Sequence, residues 1–294
     1  MSDIFSLVKI DGRIVKPATE LIKKISDAFG GSFKPWQIRR VAQAQADAEV
    51  IIAKAKIEIT ELQQRALTRF VVEESKKQDN IESITERAIE HLSVSSAPQD
   101  IEDDWVTNFF DKCRIVSDDD MQKMWAQILA GEANSPGTYS KRTVNALGAF
   151  SKQEAEWFNS FCSFNWLIGD VIIPLIFDEE FKKEDSIYAM NGIDFDVLLH
   201  LASIGLIIFE AIGLSQAGLE QQIEISYHST NLRLEFNAPQ GNTLDTGNCR
   251  LTAIGREISQ VCSSKEIAGF TDYVVRKFSE SGIRVSSPYI QQGI

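Results

Sequence analysis

Four cysteines and three histidines are the side chains best suited to nucleophilic or metal chemistry in this 294-residue chain, and their spacing favours neither. Cys113, Cys162, Cys249 and Cys262 form no Cys-x-x-Cys pair, and His91, His200 and His228 form neither a His-Glu-x-x-His helix nor a zinc-finger spacing. The cysteines are expected to be reduced and at least partly buried, as small hydrophobes. A Cys–His pair assembled by folding, Cys249 or Cys262 with His228, is the arrangement that would supply a nucleophile. Gly-x-x-x-x-Gly-Lys, Gly-x-Gly-x-x-Gly and Gly-x-Ser-x-Gly motifs are absent. These residues lead us to expect no catalytic residue, no metal and no cofactor.

Two acidic runs have a plainer use than metal binding. Asp100, Glu102, Asp103 and Asp104, and then Asp118, Asp119 and Asp120, fall in the first turns of expected helices, where carboxylates complement the helix dipole. Ser117 is the expected cap of the second helix. Further on, Glu132 and Arg142 flank a tight turn containing Pro136-Gly137, and an ion pair between them would fix it. The other reading of these two is a polar pocket.

The elements around that turn are the most readable in the chain. Met121, Met124, Trp125, Ile128 and Leu129 make one apolar face, Gly131 ends it, Ser140 caps the next helix, and Ser151 with Glu154 forms a capping box for a third. The segment Trp125 to Glu132, Trp-Ala-x-Ile-Leu-Ala-Gly-Glu, followed by Pro-Gly and Arg-Thr, resembles an uncharacterised bacterial family known as a domain of unknown function. The resemblance implies a helical fold and carries no activity. Similar helix–turn segments occur in abortive-infection factors, so a part in defence against phage enters as an analogy.

Upstream, Pro17 to Phe29 reads as an amphipathic helix, with Leu21, Ile22, Ile25 and Phe29 apolar; its two lysines make a weak membrane-binding face. A long helix is expected from Pro35 to Lys77. Ile38, Val41, Ala48, Ile52, Ala55, Ile59, Leu62 and Ala66 repeat every 3.5 residues if Gln45 fills a gap, the pattern of a coiled-coil seam. Such a helix would be roughly 60 Å long and would project or lie along a partner. Asp79 with Glu82 suggests a capping box opening another helix, and SVSSAPQ after it reads as a linker ending near residue 97.

Beyond Trp166 the period changes. VIIPLIF, Val171 to Phe177, contains Pro174 and suggests an edge strand or buried loop. A helix over Phe195 to Ser203, strands over Ile223 to Tyr227 and Leu232 to Phe236, and a Thr252-capped helix look like a winged-helix pattern. A DNA reader needs basic residues there. Glu210, Glu220, Glu224, Glu235 and Asp245 surround the candidate helices instead.

Charge supports that reading. Residues 1–90 carry fifteen Lys and Arg against fourteen Asp and Glu, whereas residues 91–294 carry fifteen against twenty-eight. An acidic remainder is a poor polyanion surface. No apolar run reaches the ~18 residues of a membrane span and the start lacks a signal peptide's apolar core, so a cytoplasmic location is expected.

The expected fold is mainly α in an α+β arrangement: an extended helical, coiled-coil-like region over 1–97, a helical core over 98–165, and a winged-helix-like module with short antiparallel strands over 166–294. The expected function is a non-enzymatic interaction protein whose partner is a second copy of itself or another protein, rather than nucleic acid or membrane. The alternatives are a winged-helix regulator, for which Arg250, Arg256, Lys265, Arg276 and Lys277 would have to converge, and an enzyme with a site invisible in sequence. Nothing in the sequence specifies a small-molecule ligand.

Overall fold

Helix caps, which depend on a few neighbouring residues, set most of the element boundaries in a computed structural model that describes residues 13–28, 50, 60–177 and 186–287. The fold is α+β, and the chain divides into two units, residues 1–149 and 150–294.

In the first unit, α1 (Val15–Ala28) buries Ala18, Leu21 and Ile25 completely. It packs on α3 (Asp103–Cys113) and on the short 3-10 turn before it, with Lys24 paired to Asp103 at 2.6 Å. Its apolar face is thus taken up inside the unit. Helix α2 (Glu61–Glu90) starts at Thr60, an extended residue (φ −65°, ψ 156°) whose side chain and Gln63 form a reciprocal capping box. This corrects two expectations. The helical stretch from Pro35 to Lys77 does not run unbroken through residue 60, and no new helix opens at Asp79. Asn80 and Glu82 are instead buried mid-helix, Glu82 accepting a hydrogen bond from Gln78 at 2.8 Å.

The C-terminal third of α2 packs on α4 (Asp119–Asn134) through a polar network. Asn80 donates to the Arg114 carbonyl (2.8 Å), Ser83 donates to Gln122 (2.8 Å), and Gln122 donates to Asn80 and to the Val116 carbonyl (3.2 and 2.9 Å). Each buried amide is thereby satisfied, which fixes the register of the two helices. The cap of α4 is Asp118, accepting from the Asp120 and Met121 N–H groups, and not Ser117. A carboxylate at the cap also complements the helix dipole. SVSSAPQ is tied down: Asn134 accepts from the Ser93 N–H and the Ser96 hydroxyl, and the Ala97 N–H donates to the Ala133 carbonyl. The core is aromatic, with Trp105 stacked on Phe109 and Phe109 edge-on to Trp125, both at 5.0 Å.

In the second unit, α6 (Lys152–Cys162), which follows α5 (Lys141–Leu147), leads into a five-stranded antiparallel sheet. Its order is β2 (Val171–Pro174), β1 (Asn165–Ile168), β4 (Gln222–Tyr227), β5 (Thr230–Glu235), β7 (Arg284–Ser286). Pro174 sits on an edge strand, where its missing N–H leaves no ladder bond unmade. A separate pair, β3 (Ile207–Leu219) with β6 (Asn242–Leu251), is antiparallel and irregular: Phe209 faces Cys249 and Leu214 faces Gly247, so the four residues 210–213 bulge outward. Helix α7 (Phe195–Ser203), capped by Asp194, precedes β3, and Thr252 caps α8 (Ala253–Ser259) straight after β6. Helix α9 (Phe270–Glu280) closes the unit.

Phe164, Trp166, Tyr188, Tyr227 and Phe270 form a continuous fully buried aromatic cluster. The Tyr227 hydroxyl donates to the Ser163 carbonyl (2.8 Å) and accepts from the Ile267 N–H (2.9 Å), stitching the end of α6 to the loop before α9.

Candidate functional site

Four places have the exposure or the polar groups a functional site needs. The first is the N-terminal part of α2. None of residues 61–79 is buried, residues 61–66 are all exposed, and Leu62 and Phe70 are 68% and 59% exposed. Leu62, Ala66 and Phe70 recur every fourth residue and so share one face. Arg65 with Glu61, Arg69 with Glu73 and Lys77 with Glu74 pair along the same helix. Such pairs add a few tenths of a kcal/mol each and help a helix stand with little tertiary support. Of the expected seam, Leu62 and Ala66 lie here; Ile38, Val41, Ala48, Ile52, Ala55 and Ile59 lie outside the described residues. Phe70 shares their face but falls one residue past Arg69, the next position of the repeat, so the 3.5-residue spacing does not mark it.

The second place is the turn after α4. Glu132, 3% exposed, accepts from the Gly137 N–H (2.7 Å) with one oxygen and from the Tyr139 N–H (2.9 Å) with the other. Arg142 is exposed, and the two backbone N–H groups hold the Glu132 carboxylate in a carboxylate–backbone clamp. The Trp105 indole donates to the Tyr139 carbonyl (2.7 Å), and a Cβ on Gly131 would stand 2.7 Å from the Tyr139 ring. These contacts explain the Trp-Ala-x-Ile-Leu-Ala-Gly-Glu segment as a fold element. The adjoining cleft, about 470 Å3, is lined by Asp100, Glu102, Trp105 and Lys141 among others.

The third is a cleft of about 970 Å3 in the second unit, lined in part by Ile212, Asn242, Asp245, Lys277 and Glu280. Two of its polar side chains are held by the backbone. Asn242 donates to the carbonyls of Leu219, Glu220 and Ala238, and Asp245 accepts from the Gly247 N–H. They hold the ends of β3 and β6 in place.

The fourth is Glu154 on α6 with His200 on α7, 2.8 Å apart, His200 lying edge-on to Trp157 at 5.3 Å. The Ser151 N–H and the His200 ring hold the Glu154 carboxyl below its ordinary value of 4.5. Because the folded-state value is depressed, this contribution to stability is complete above pH 4.5 and is lost as pH falls through the lowered value. Glu154→Gln should therefore cost up to about 1 kcal/mol at pH 7 and progressively less as pH falls below 4.5, read as the gap between the two unfolding midpoints. A constant gap would show that the carboxylate is not the titrating group. Sequence spacing could not pair residues 46 apart, although the capping role of Glu154 was readable.

Of the expected Cys–His partners, His228 is exposed at the β4–β5 turn with φ 47°, while Cys249 is fully buried and Cys262 partly exposed. Arg250, Arg256, Lys265 and Arg276 are exposed and belong to β6, α8, a loop and α9. Among the described residues no group of three or more His, Cys, Asp or Glu side chains is placed to hold a metal ion, and no helix is long and apolar enough to cross a membrane.

A family described as a protein of unknown function, DUF2806, matches residues 64–275, a span that includes the Trp125–Glu132 segment. No curated protein and no solved structure matches the chain.

Proposed function

We propose, for a chain that belongs to the DUF2806 family of unknown function, a non-enzymatic role as an interaction protein that self-associates through its N-terminal helical region. The observation that carries this reading is α2. A 30-residue helix, about 45 Å long, buries side chains only from Asn80 onward and presents Leu62, Ala66 and Phe70 to solvent before that. Leu62 and Ala66 belong to the 3.5-residue pattern that starts at Ile38, and Phe70 shares their face of α2 at a further four-residue step. The pattern is the argument for a second copy of the chain as partner, since identical heptads pack on one another.

Burying Leu62 and Phe70 would contribute roughly 1.5–3 kcal/mol each. Leu62→Glu with Phe70→Glu is accordingly expected to weaken self-association about a hundredfold or more while leaving both units folded, because neither side chain supports the core. Ile52→Asp with Ile59→Asp should act in the same direction. Sedimentation or light scattering checks both, and an unchanged association constant would contradict the seam.

We read residues 190–265, from α7 to α8, as a winged-helix-like module used for protein contact. The exposed acidic residues in this span, Glu220, Glu224 and Asp245, support that use over DNA binding.

A further inference from the structure

The second unit holds two free thiols together. Cys162, at the end of α6, is buried, Cys262, just past α8, is partly exposed, and the two side chains lie beside one another. The segments carrying them are fixed independently. The Lys265 N–H donates to the Ser163 hydroxyl (3.0 Å), and the Tyr227 hydroxyl joins the Ser163 carbonyl to the Ile267 N–H. Cys262 also donates to the Ile258 carbonyl, at 3.5 Å. Burial pushes the Cys162 thiol well above its ordinary value, and the neighbouring Cys262 pushes it the same way. The other two cysteines, Cys113 and Cys249, are buried singly.

We propose that Cys162 and Cys262 are a site of reversible oxidation, closed to an intrachain disulfide by a hydroperoxide. The exposed thiol reacts first. The Cys262 thiolate attacks the peroxide, the O–O bond breaks, and Cys262 becomes a sulfenic acid as the peroxide is reduced to an alcohol, or to water from hydrogen peroxide. Cys162 then attacks the Cys262 sulfur, the S–S bond forms, and hydroxide leaves with the Cys162 proton as water. The chain loses two protons and two electrons. Because burial keeps Cys162 protonated, this second step is the slow one. The bond would tie the end of α6 to the segment after α8 and close a loop between cysteines 100 residues apart, a constraint on the unfolded chain.

The test treats the reduced full-length protein with hydrogen peroxide, blocks remaining thiols and maps peptides without reduction. The expected result is a mass loss of two hydrogens, one cross-linked peptide pair containing Cys162 and Cys262, reversal by dithiothreitol, and an upward shift in unfolding temperature. Cys162→Ser should leave a sulfenic acid on Cys262 that dimedone captures, and Cys262→Ser should leave Cys162 a free thiol. Dimedone capture at Cys262 of the unsubstituted chain without the cross-link, a disulfide between two chains, or no reaction at either thiol would overturn the proposal.

Discussion

Gly247→Ala is expected to unfold the second unit, at a cost of more than about 4 kcal/mol. Gly247 has φ +83°, and a Cβ there would stand 2.0 Å from the Ile176 carbonyl oxygen. Both obstacles are backbone, so neither can be relieved by turning a side chain. The same approach carries the bridge between Ile176 and Gly247 and the bond from the Asn248 N–H to the Ile176 carbonyl at 2.6 Å. Gly213→Ala is the matched control. It too has φ +83°, but the nearest atom to its Cβ would be 3.8 Å away, so only the left-handed conformation is penalised, by roughly 1–2 kcal/mol. Urea unfolding of both proteins checks the difference. Equal midpoints would mean that the Ile176–Gly247 approach is not what joins this strand pair to the segment after β2.

Glu132→Ala should cost the first unit about 3 kcal/mol. Each oxygen of the buried carboxylate takes one backbone N–H of the turn, and charge-assisted bonds of this kind contribute roughly 1.5–3 kcal/mol apiece, less what water regains in the mutant. Glu132→Gln keeps one acceptor and should recover about half of the loss. Arg142→Ala should change the midpoint by no more than about 0.5 kcal/mol, since Arg142 is exposed. Thermal unfolding of the three variants separates a carboxylate–backbone clamp from an ion pair. A loss in Arg142→Ala as large as that in Glu132→Ala would restore the ion pair.

What the sequence made legible was local. Ser140, Ser151 and Thr252 are caps, the helix over Phe195–Ser203 is found as read, and Pro174 lies on an edge, because each depends on a few adjacent residues. Thr60-x-x-Gln63 and Asp79-x-x-Glu82 look equally like helix starts in sequence. The choice between them is made by the burial of Asn80 and Glu82 against α4 and the loop before it, which is tertiary information. Strand partners were not legible for the same reason. The strands β4 and β5 were found, yet they join β1 and β7, while β3 pairs across them with β6 around a four-residue bulge that no alternation pattern announces. Glu132 binds the turn through backbone donors, which have no side-chain signature. The contact between Cys162 and Cys262 spans too much sequence to be read from spacing.

The central claim is that the N-terminal helical region makes the chain self-associate, and the solution mass of the full chain across a concentration series tests it most directly. A mass that rises above the 32.9 kDa of one chain with concentration, and returns to it in Leu62→Glu with Phe70→Glu, is the predicted result. A single-chain mass at every concentration would contradict the claim and leave α2 as a helix that projects without a second copy as its partner.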